Sequence, residues 1–219
     1  MILTVAAGKG GVGKTTTAYN VGAELDAVVI DADLGMADLP DSRGPDLHDV
    51  LAGRAHPVEA VREDGPVRLL PCGRTVAGVR AADPAALAGA VETIADAYGR
   101  GVIDAPAGMH RDAAIPLLIA DALVLVTRPS RAAVVGALRT RELARELDTP
   151  LAQVVLNRAN APGEYDQLAS TLGAPVTPVP ESPHVARAQR TGHPVRSIAP
   201  DAGATLQFHH LAQAVERAL

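Results

Sequence analysis

The stretch GKGGVGKT at residues 8–15 stands between an apolar run at residues 2–6 and a helical pattern that begins at residue 14. It fits G-x-x-x-x-G-K-[ST] in the strand–loop–helix context in which that pattern binds phosphate. The glycines let backbone N–H groups point at phosphate oxygens, and the helix start and Lys14 add positive charge. A flexible glycine-rich turn is the simplest alternative, but the pattern arises by chance in only about one such chain in a thousand. Residues 8–15, called the phosphate loop below, therefore predict a nucleotide site.

The same loop also fits G-x-G-x-x-G over residues 8–13, the pattern of dinucleotide-binding folds. Asp31 would then bind a ribose, because it stands at the end of the next apolar run. Lys14 and Thr15 favour the first interpretation. A nicotinamide site does not use a fixed cation and a hydroxyl at the helix start, whereas magnesium–nucleotide chemistry needs both.

Apolar runs of strand length alternate with helical patterns along the chain. The predicted strands lie at residues 2–6, 28–30, 67–70, 102–103, 122–126, 152–156 and 176–179, and the predicted helices at 14–25, 84–98, 131–147, 164–172, 182–191 and 202–219. This alternation predicts an α/β fold, a three-layer αβα arrangement with a mostly parallel twisted sheet of about 7–8 strands. No linker or repeat interrupts the pattern, so we expect residues 1–219 to form a single domain, least regular at 34–46 and 72–83.

Composition narrows the class of protein. The chain has 219 residues, 47% of them hydrophobic, a formal charge of −5 and a single cysteine, Cys72. We expect no internal disulfide, zinc site or iron–sulfur cluster, because no second cysteine or cysteine–histidine set is present. The negative charge disfavours non-specific electrostatic binding to nucleic acid. The sequence shows no pattern of a leader peptide or of a long apolar run, so we expect neither secretion nor membrane spanning. These features predict a cytoplasmic protein.

Carboxylates follow two of the predicted strands. Asp31 and Asp33 come after the second strand, and Asp104 comes after the fourth. Because the carboxyl ends of parallel strands line the ligand crevice, all three are expected near a metal–phosphate centre. Asp104 suits the carboxylate that holds Mg²⁺, and Asp33 suits one that orients an attacking water. Taken alone, such aspartates are more often turn or helix-cap residues.

Together these segments resemble the MinD/ParA family of deviant Walker A P-loop ATPases, and within it the MinD-like branch. The resemblance rests on KGGVGKTT at residues 9–16, DADLGMADL at 31–39, DAPAG at 104–108, and VLNR at 155–158 with VPE at 179–181. The second and third segments are similar to the family's two switch segments. The last pair is similar to its adenine-recognition strand and loop. The resemblance implies a P-loop ATPase domain over residues 1–219 that uses ATP, ADP and Mg²⁺.

The resemblance also implies roles for residues around the phosphates. It assigns Lys14 to the β- and γ-phosphates, Thr16 to the α-phosphate, and Thr15 with Asp104 to the metal. Lys9 would reach the phosphates of a second subunit in an ATP-dependent homodimer. Lys9 and Lys14 are the only two lysines in the chain, so this role accounts for the second of them.

Water and adenine contacts complete the implied site. Asp33 would position the attacking water and act with Lys9 and Lys14 in catalysis. Asn157 and Arg158 would flank adenine, since an amide can hydrogen-bond the base edge and a guanidinium can stack on it. The full set of implied nucleotide contacts is Gly8, Lys9, Gly10, Gly11, Val12, Gly13, Lys14, Thr15, Thr16, Asn157, Arg158, Pro180 and Glu181.

The function implied by the resemblance is an ATP-binding and ATP-hydrolysing switch. It would recruit or position a division, motility or chemosensory machinery through an unidentified protein partner or activator. One alternative is a nucleotide-binding scaffold with little turnover, because Asp38 stands where many relatives have asparagine; we expect Asp38→Asn to raise steady-state ATP turnover. Another is a ParA-like ATPase that partitions DNA or cargo. An iron–sulfur carrier or nitrogenase-type reductase is disfavoured, because such relatives need interface cysteines.

Two surface patterns bear on partners. One apolar face of the last predicted helix comprises Phe208, Leu211, Ala212, Val215 and Leu219. Because this helix lacks lysine, we expect it to pack on the sheet, with binding at a membrane surface or cell pole as a weaker alternative.

A basic set comprises Arg187, Arg190 and Arg196. We expect a solvated face there and do not favour DNA as a partner. The histidines are expected to be structural or surface residues, and Cys72 a buried small side chain.

Overall fold

A computed structural model of the chain describes residues 1–34, 44–108, 111–159 and 165–219, with only the backbone of residues 111 and 112. The strands are β1 (Ile2–Ala6), β2 (Val28–Asp31), β3 (Leu69–Leu70), β4 (Gly101–Asp104), β5 (Ala122–Thr127), β6 (Leu151–Asn157) and β7 (Val176–Val179). The helices are α1 (Lys14–Glu24), α2 (Leu47–Leu51), α3 (Val76–Ala81), α4 (Leu87–Tyr98), α5 (Arg111–Leu118), α6 (Arg131–Glu146), α7 (Asp166–Leu172), α8 (Pro183–Thr191), α9 (Val195–Ile198) and α10 (Gly203–Ala218). Two 3₁₀ turns cover Pro57–Ala60 and Pro84–Ala86.

Seven strands within the described ranges form one parallel sheet in the order β3-β2-β4-β1-β5-β6-β7. Successive side chains of a strand pack into opposite layers, as the period of two requires. Val124 contacts the layer built from α1 and α10, whereas Leu123 and Leu125 contact the layer that contains α6 and α7. The predicted three-layer αβα fold is therefore confirmed.

The elements agree with the sequence patterns where those patterns are long. All seven predicted strands are present, although β3 covers only Leu69–Leu70 instead of 67–70. The expectation of an irregular stretch at 72–83 is wrong, because α3 lies within it with Thr75 as its N-cap. The short helices α2, α3, α5 and α9 were not predicted, since one or two turns carry too little periodicity to recognise.

The C-terminal helix packs against the sheet as expected. Phe208, Leu211 and Val215 of α10 are at most 2% exposed and belong to the core that also contains α1. Leu219 departs from the expectation, because it follows the last helical residue and is 53% exposed. Within the described ranges, every helix is too short or too polar to cross a bilayer.

Strand register brings the predicted polar ends together at one edge of the sheet. Asp104 pairs with Asp31 on one side and with Val5 on the other, so the ends of β2 and β4 lie beside the start of the phosphate loop. The ends of β6 and β7 also pair, with Asn157 opposite Val179. Asp38 and the rest of residues 35–43 lie outside the described part of the chain.

Candidate functional site

Two glycines of the phosphate loop, Gly8 and Gly13, are required by close packing. Gly8 lies against the backbone of α6, where an added Cβ would come 2.0 Å from the carbonyl oxygen of Gly136. Gly13 has a φ of +103°, and an added Cβ there would come 1.9 Å from Nδ2 of Asn157. Between them Val12 is buried and its carbonyl accepts a 2.7 Å hydrogen bond from the same Nδ2. The loop is thus fixed at its start by α6 and at its end by Asn157.

The two lysines of the loop have opposite environments. Lys14 is 7% exposed, and its Nζ lies 2.8 Å from Oδ1 of the fully buried Asp104. Lys9 is exposed at the surface of the loop. Burial of an unpaired ammonium costs several kcal/mol of folding free energy, and Asp104 supplies the compensating charge here. The structure therefore brings together Lys14 and the predicted metal ligand, while Lys9 is accessible to a second molecule.

The carboxylates after β2 are organised by a tight turn. Asp31 is fully buried, and its Oδ1 accepts a 3.2 Å hydrogen bond from the backbone N–H of Asp33. The carbonyl of Asp104 accepts a hydrogen bond from the N–H of Ala32 at 3.0 Å. Asp31 thus orients the backbone that carries Asp33, which is half-buried at the same edge of the sheet.

A cleft beside the loop collects the residues that were predicted to contact adenine. It is lined by Gly13, Thr16, Asn157, Arg158, Pro180, Glu181, Ser182, Val185, Ala186 and Gln189. The chain segments after β6 and β7 therefore meet the end of the phosphate loop. Asn157 also holds its neighbours, because its Oδ1 accepts from the N–H of Arg158 at 2.9 Å while its Nδ2 donates to Val12. Toward the described residues, Asn157 uses one amide hydrogen and one oxygen lone pair, and the other amide hydrogen and lone pair could bind a ligand.

Other predicted contacts lie around the start of α1. Thr15 and Thr16 are half-buried in its first turn, and Gly10 and Gly11 are exposed beside Lys9. The helix starts without a side-chain cap at Gly13, so its first N–H groups point into the loop, as an anion site requires. The sequence-predicted residues thus converge at one edge of the sheet.

Sequence reasoning missed the contacts of two buried residues. His48 was expected to be a structural or surface residue and Cys72 a buried small side chain, and both are buried, at 1% and 0% exposure. Their side chains nevertheless hydrogen-bond the backbone after β2, at Leu34 and Asp33. The D-x-x-D pattern at residues 46–49 could have indicated α2 from the sequence, because it is typical of a capping box. Asp46 and Asp49 form that capping box, and His48 lies in the helix that it starts.

The predicted basic set of Arg187, Arg190 and Arg196 is divided between the helices α8 and α9. Arg187 and Arg190 are exposed on α8. Arg196 belongs to α9 and lies 4.0 Å from the carboxylate of Glu24. Part of the predicted basic face is therefore compensated by a neighbouring acid.

The fold and site define a nucleotide-binding P-loop protein of the MinD/ParA type. Residues 3–195 match the family described as the CobQ/CobB/MinD/ParA nucleotide binding domain, so the chain belongs to this family. The resemblance seen in the sequence motifs is thereby confirmed.

Particular relatives sharpen this assignment. An uncharacterized ATP-binding protein of Methanocaldococcus jannaschii is 38% identical over an alignment of 169 residues, and the match covers 72% of this chain and 64% of the relative. The cell division ATPase MinD of Pyrococcus furiosus has a TM-score of 0.91 at 27% identity, covering 100% of this chain and 99% of that one. The septum site-determining protein MinD of Pyrococcus horikoshii, complexed with Mg-ADP, has a TM-score of 0.90 at 26% identity, covering 99% and 96%.

Proposed function

We propose that residues 1–219 form a single P-loop ATPase domain that binds and hydrolyses ATP and changes its association state with the nucleotide. The observation that carries the proposal is the buried Lys14–Asp104 pair, at 2.8 Å, beneath a glycine loop on which a second lysine is exposed. The Mg-ADP bound to the Pyrococcus horikoshii relative supports ATP and ADP as the nucleotides.

The residues at the start of α1 fit a magnesium–nucleotide. Thr15 and Asp104 offer hydroxyl and carboxylate oxygens, the ligand type that Mg²⁺ prefers. When bound, the ion would neutralise part of the charge on the terminal phosphates. Lys14 would hold the β- and γ-phosphates and Thr16 the α-phosphate, as the resemblance implies, and both residues lie in the first turn of α1. Asn157, Arg158, Pro180 and Glu181 would bind adenine in the adjoining cleft.

Hydrolysis would depend on a water held by Asp33. Its carboxylate is placed by a backbone that hydrogen-bonds the buried Asp31, at the strand end next to Asp104. A rigid backbone favours catalysis, because an attacking water must be aligned with the phosphorus within a fraction of an ångström.

The exposed lysine supports dimerisation as the output of ATP binding. Lys9 lies on the surface of the loop, so its charge is available to the phosphates of a second subunit that faces the site. In the ATP state this contact would attract the partner, and after loss of the γ-phosphate it would weaken. ATP hydrolysis would then time the release of an unidentified protein partner or activator.

The proposal extends to a cytoplasmic protein that positions a division, motility or chemosensory machinery. The burial of the apolar face of α10 against α1 disfavours binding of this helix to a membrane surface. The second candidate is a ParA-like ATPase acting on DNA, which the exposed Arg187 and Arg190 on α8 favour. A fall in DNA affinity of Arg187→Ala/Arg190→Ala, with ATP binding retained, would support it.

Light-scattering mass with Mg-ATP and with Mg-ADP tests the switch. We expect the wild type to dimerise only with ATP and Asp33→Ala to dimerise most, because the substitution slows hydrolysis. Lys9→Ala should stay monomeric, whereas Arg217→Ala, which removes an exposed charge at the far end of α10, should dimerise normally.

Two results would contradict the proposal in different ways. Monomers in every nucleotide state, with ATP bound, would reject the dimer switch. ATP binding and dimerisation without phosphate release, even after prolonged incubation, would instead favour the scaffold with little turnover.

A further inference from the structure

The backbone that leaves β2 is held by two side chains from elsewhere in the chain. Cys72 Sγ donates to the carbonyl oxygen of Asp33 at 3.2 Å, and His48 Nε2 lies 3.1 Å from the carbonyl oxygen of Leu34. Because a carbonyl oxygen only accepts, the second contact requires a proton on Nε2. The two donors lie 3.5 Å apart. Two consecutive carbonyls are thus bound by a pair of adjacent donors, here called the His48–Cys72 clamp.

The two donors belong to one local frame. The backbone N–H groups of Leu47 and His48, at the start of α2, donate to the carbonyls of Pro71 and Cys72 at 2.8 and 3.2 Å. Gly73 has a φ of +95° and leaves room for the N-cap carboxylate, since an added Cβ would lie 2.4 Å from Oδ2 of Asp46. The start of α2 and the segment 71–73 therefore hold the clamp residues in a fixed relation.

The second nitrogen of His48 argues against a purely stabilising role. Within the described residues, Nδ1 of His48 is buried and accepts no hydrogen bond. It faces α3, where an added Cβ on Gly78 would lie 2.7 Å away. A buried polar atom without a partner destabilises the fold, so an apolar side chain would suit this position better if packing alone mattered.

The chemistry of the thiol also suits a permanent donor. Burial raises the pKa of Cys72, and the nearby carboxylates of Asp31, Asp33 and Asp46 raise it further. The sulfur therefore keeps its proton at neutral pH and continues to donate to the carbonyl of Asp33. Asp33 is then held on both sides, by Asp31 at its N–H and by Cys72 at its carbonyl.

We propose that His48 and Cys72 are positioning residues, which fix the backbone of Asp33 so that its carboxylate meets the attacking water during ATP hydrolysis. The inference rests on the proposed function, because it assigns Asp33 its role there. Neither residue belongs to the phosphate loop or lines the adenine cleft, so we expect the clamp to act on turnover and to leave substrate binding unchanged.

Steady-state ATP hydrolysis tests the clamp with matched pairs of variants. We expect His48→Leu and Cys72→Ala to lower kcat by about three- to tenfold, the loss expected for one hydrogen bond, with the KM for ATP within about twofold. His48→Gln and Cys72→Ser should restore most of the kcat, because an amide N–H and a hydroxyl can donate to the same carbonyls. Thr205→Val is the control, since it removes a buried hydroxyl that donates to Ala199 on the far side of the sheet.

A double-mutant cycle separates positioning from general damage. In an Asp33→Ala background, followed by single-turnover hydrolysis, the clamp substitutions should have no further effect on the rate. An equal fall in rate with and without Asp33, or an unchanged kcat in His48→Leu and Cys72→Ala, would overturn the clamp. If His48→Leu does not fold, the Cys72→Ala and Cys72→Ser pair carries the same test.

Hydrogen exchange gives a second readout that needs no turnover. The amides of residues 31–34 should exchange faster in Cys72→Ala and His48→Leu than in the wild type or in Thr205→Val. A wild type without ATP hydrolysis would overturn the proposed function, and unchanged exchange in both clamp variants would overturn the clamp itself.

Discussion

The phosphate loop and the turn at residues 31–34 lie at the same edge of the sheet but are held by different kinds of interaction. The loop is one continuous segment, anchored by the buried ion pair of Lys14 with Asp104 at 2.8 Å. The turn is held by side chains that come from distant segments, and its backbone contacts to Cys72 and His48 are hydrogen bonds of 3.2 and 3.1 Å. Removing one partner of a buried charged pair costs about 3–5 kcal/mol, whereas the loss of a single hydrogen bond costs about 1 kcal/mol. The comparison indicates a phosphate site that depends on one costly ion pair, beside a catalytic turn that is fixed by several weaker contacts.

The largest effect should come from breaking the ion pair. Lys14→Met leaves the carboxylate of Asp104 buried without its cation, so we expect a loss of about 3–5 kcal/mol in the free energy of unfolding, measured by urea denaturation. Lys9→Met removes an exposed charge and should change it by less than about 0.5 kcal/mol. Lys14→Met/Asp104→Asn should recover part of the loss. Equal effects of the two single lysine variants would remove the contrast between them.

A second test concerns the rigidity of the loop. Gly13→Ala places a Cβ at a φ of +103° and against Asn157, so it should cost about 1–3 kcal/mol and abolish binding of a fluorescent ATP analogue. Gly10→Ala is the matched control, because an added Cβ there has no atom within 4 Å. Comparable losses in the two variants would show that the loop is not shaped by its contact with Asn157.

A smaller effect is expected where the loop meets the cleft. Asn157→Ala removes hydrogen bonds to Val12 and Arg158, and we expect about tenfold weaker ATP binding by calorimetry, the equivalent of about 1.4 kcal/mol. Asn157→Asp keeps the acceptor for Arg158 and loses the donor to Val12, so it separates the two contributions. ATP affinity unchanged in both variants would place adenine elsewhere.

The smallest expected effect concerns the thiol beside the turn at residues 31–34. The raised pKa of the buried Cys72 means that folding favours the protonated thiol, so this contribution to stability is present below the unfolded pKa of about 8.5 and is lost as pH rises above it. We expect iodoacetamide at pH 8.5 to label the folded protein at least about tenfold more slowly than the urea-unfolded protein, measured by intact mass. Equal labelling rates would show that the thiol opens to solvent and does not hold the turn firmly.

The fold and the phosphate loop could be predicted from the sequence, because the patterns that indicate them lie in contiguous residues. Long apolar runs predicted the seven strands, and the contiguous glycines with Lys14 and Thr15 predicted the loop. The short helices α2 and α3 were missed because their few residues carry no distinct periodicity. The burial of Cys72 was predicted correctly, and His48 was expected to be a structural or surface residue. Their contacts with the turn depend on α2 and on the segment 71–73, and could not be predicted.

The sequence by itself determined the family, the strand–loop–helix unit and the types of side chain available for nucleotide chemistry, because these are encoded in adjacent residues. Only the tertiary structure decided which polar groups meet. Asn157 reaches Val12 across 145 residues of chain, and His48 and Cys72 converge on the turn that holds Asp33. Such contacts follow from strand order and register, which depend on how the whole core packs and leave no local pattern in the sequence.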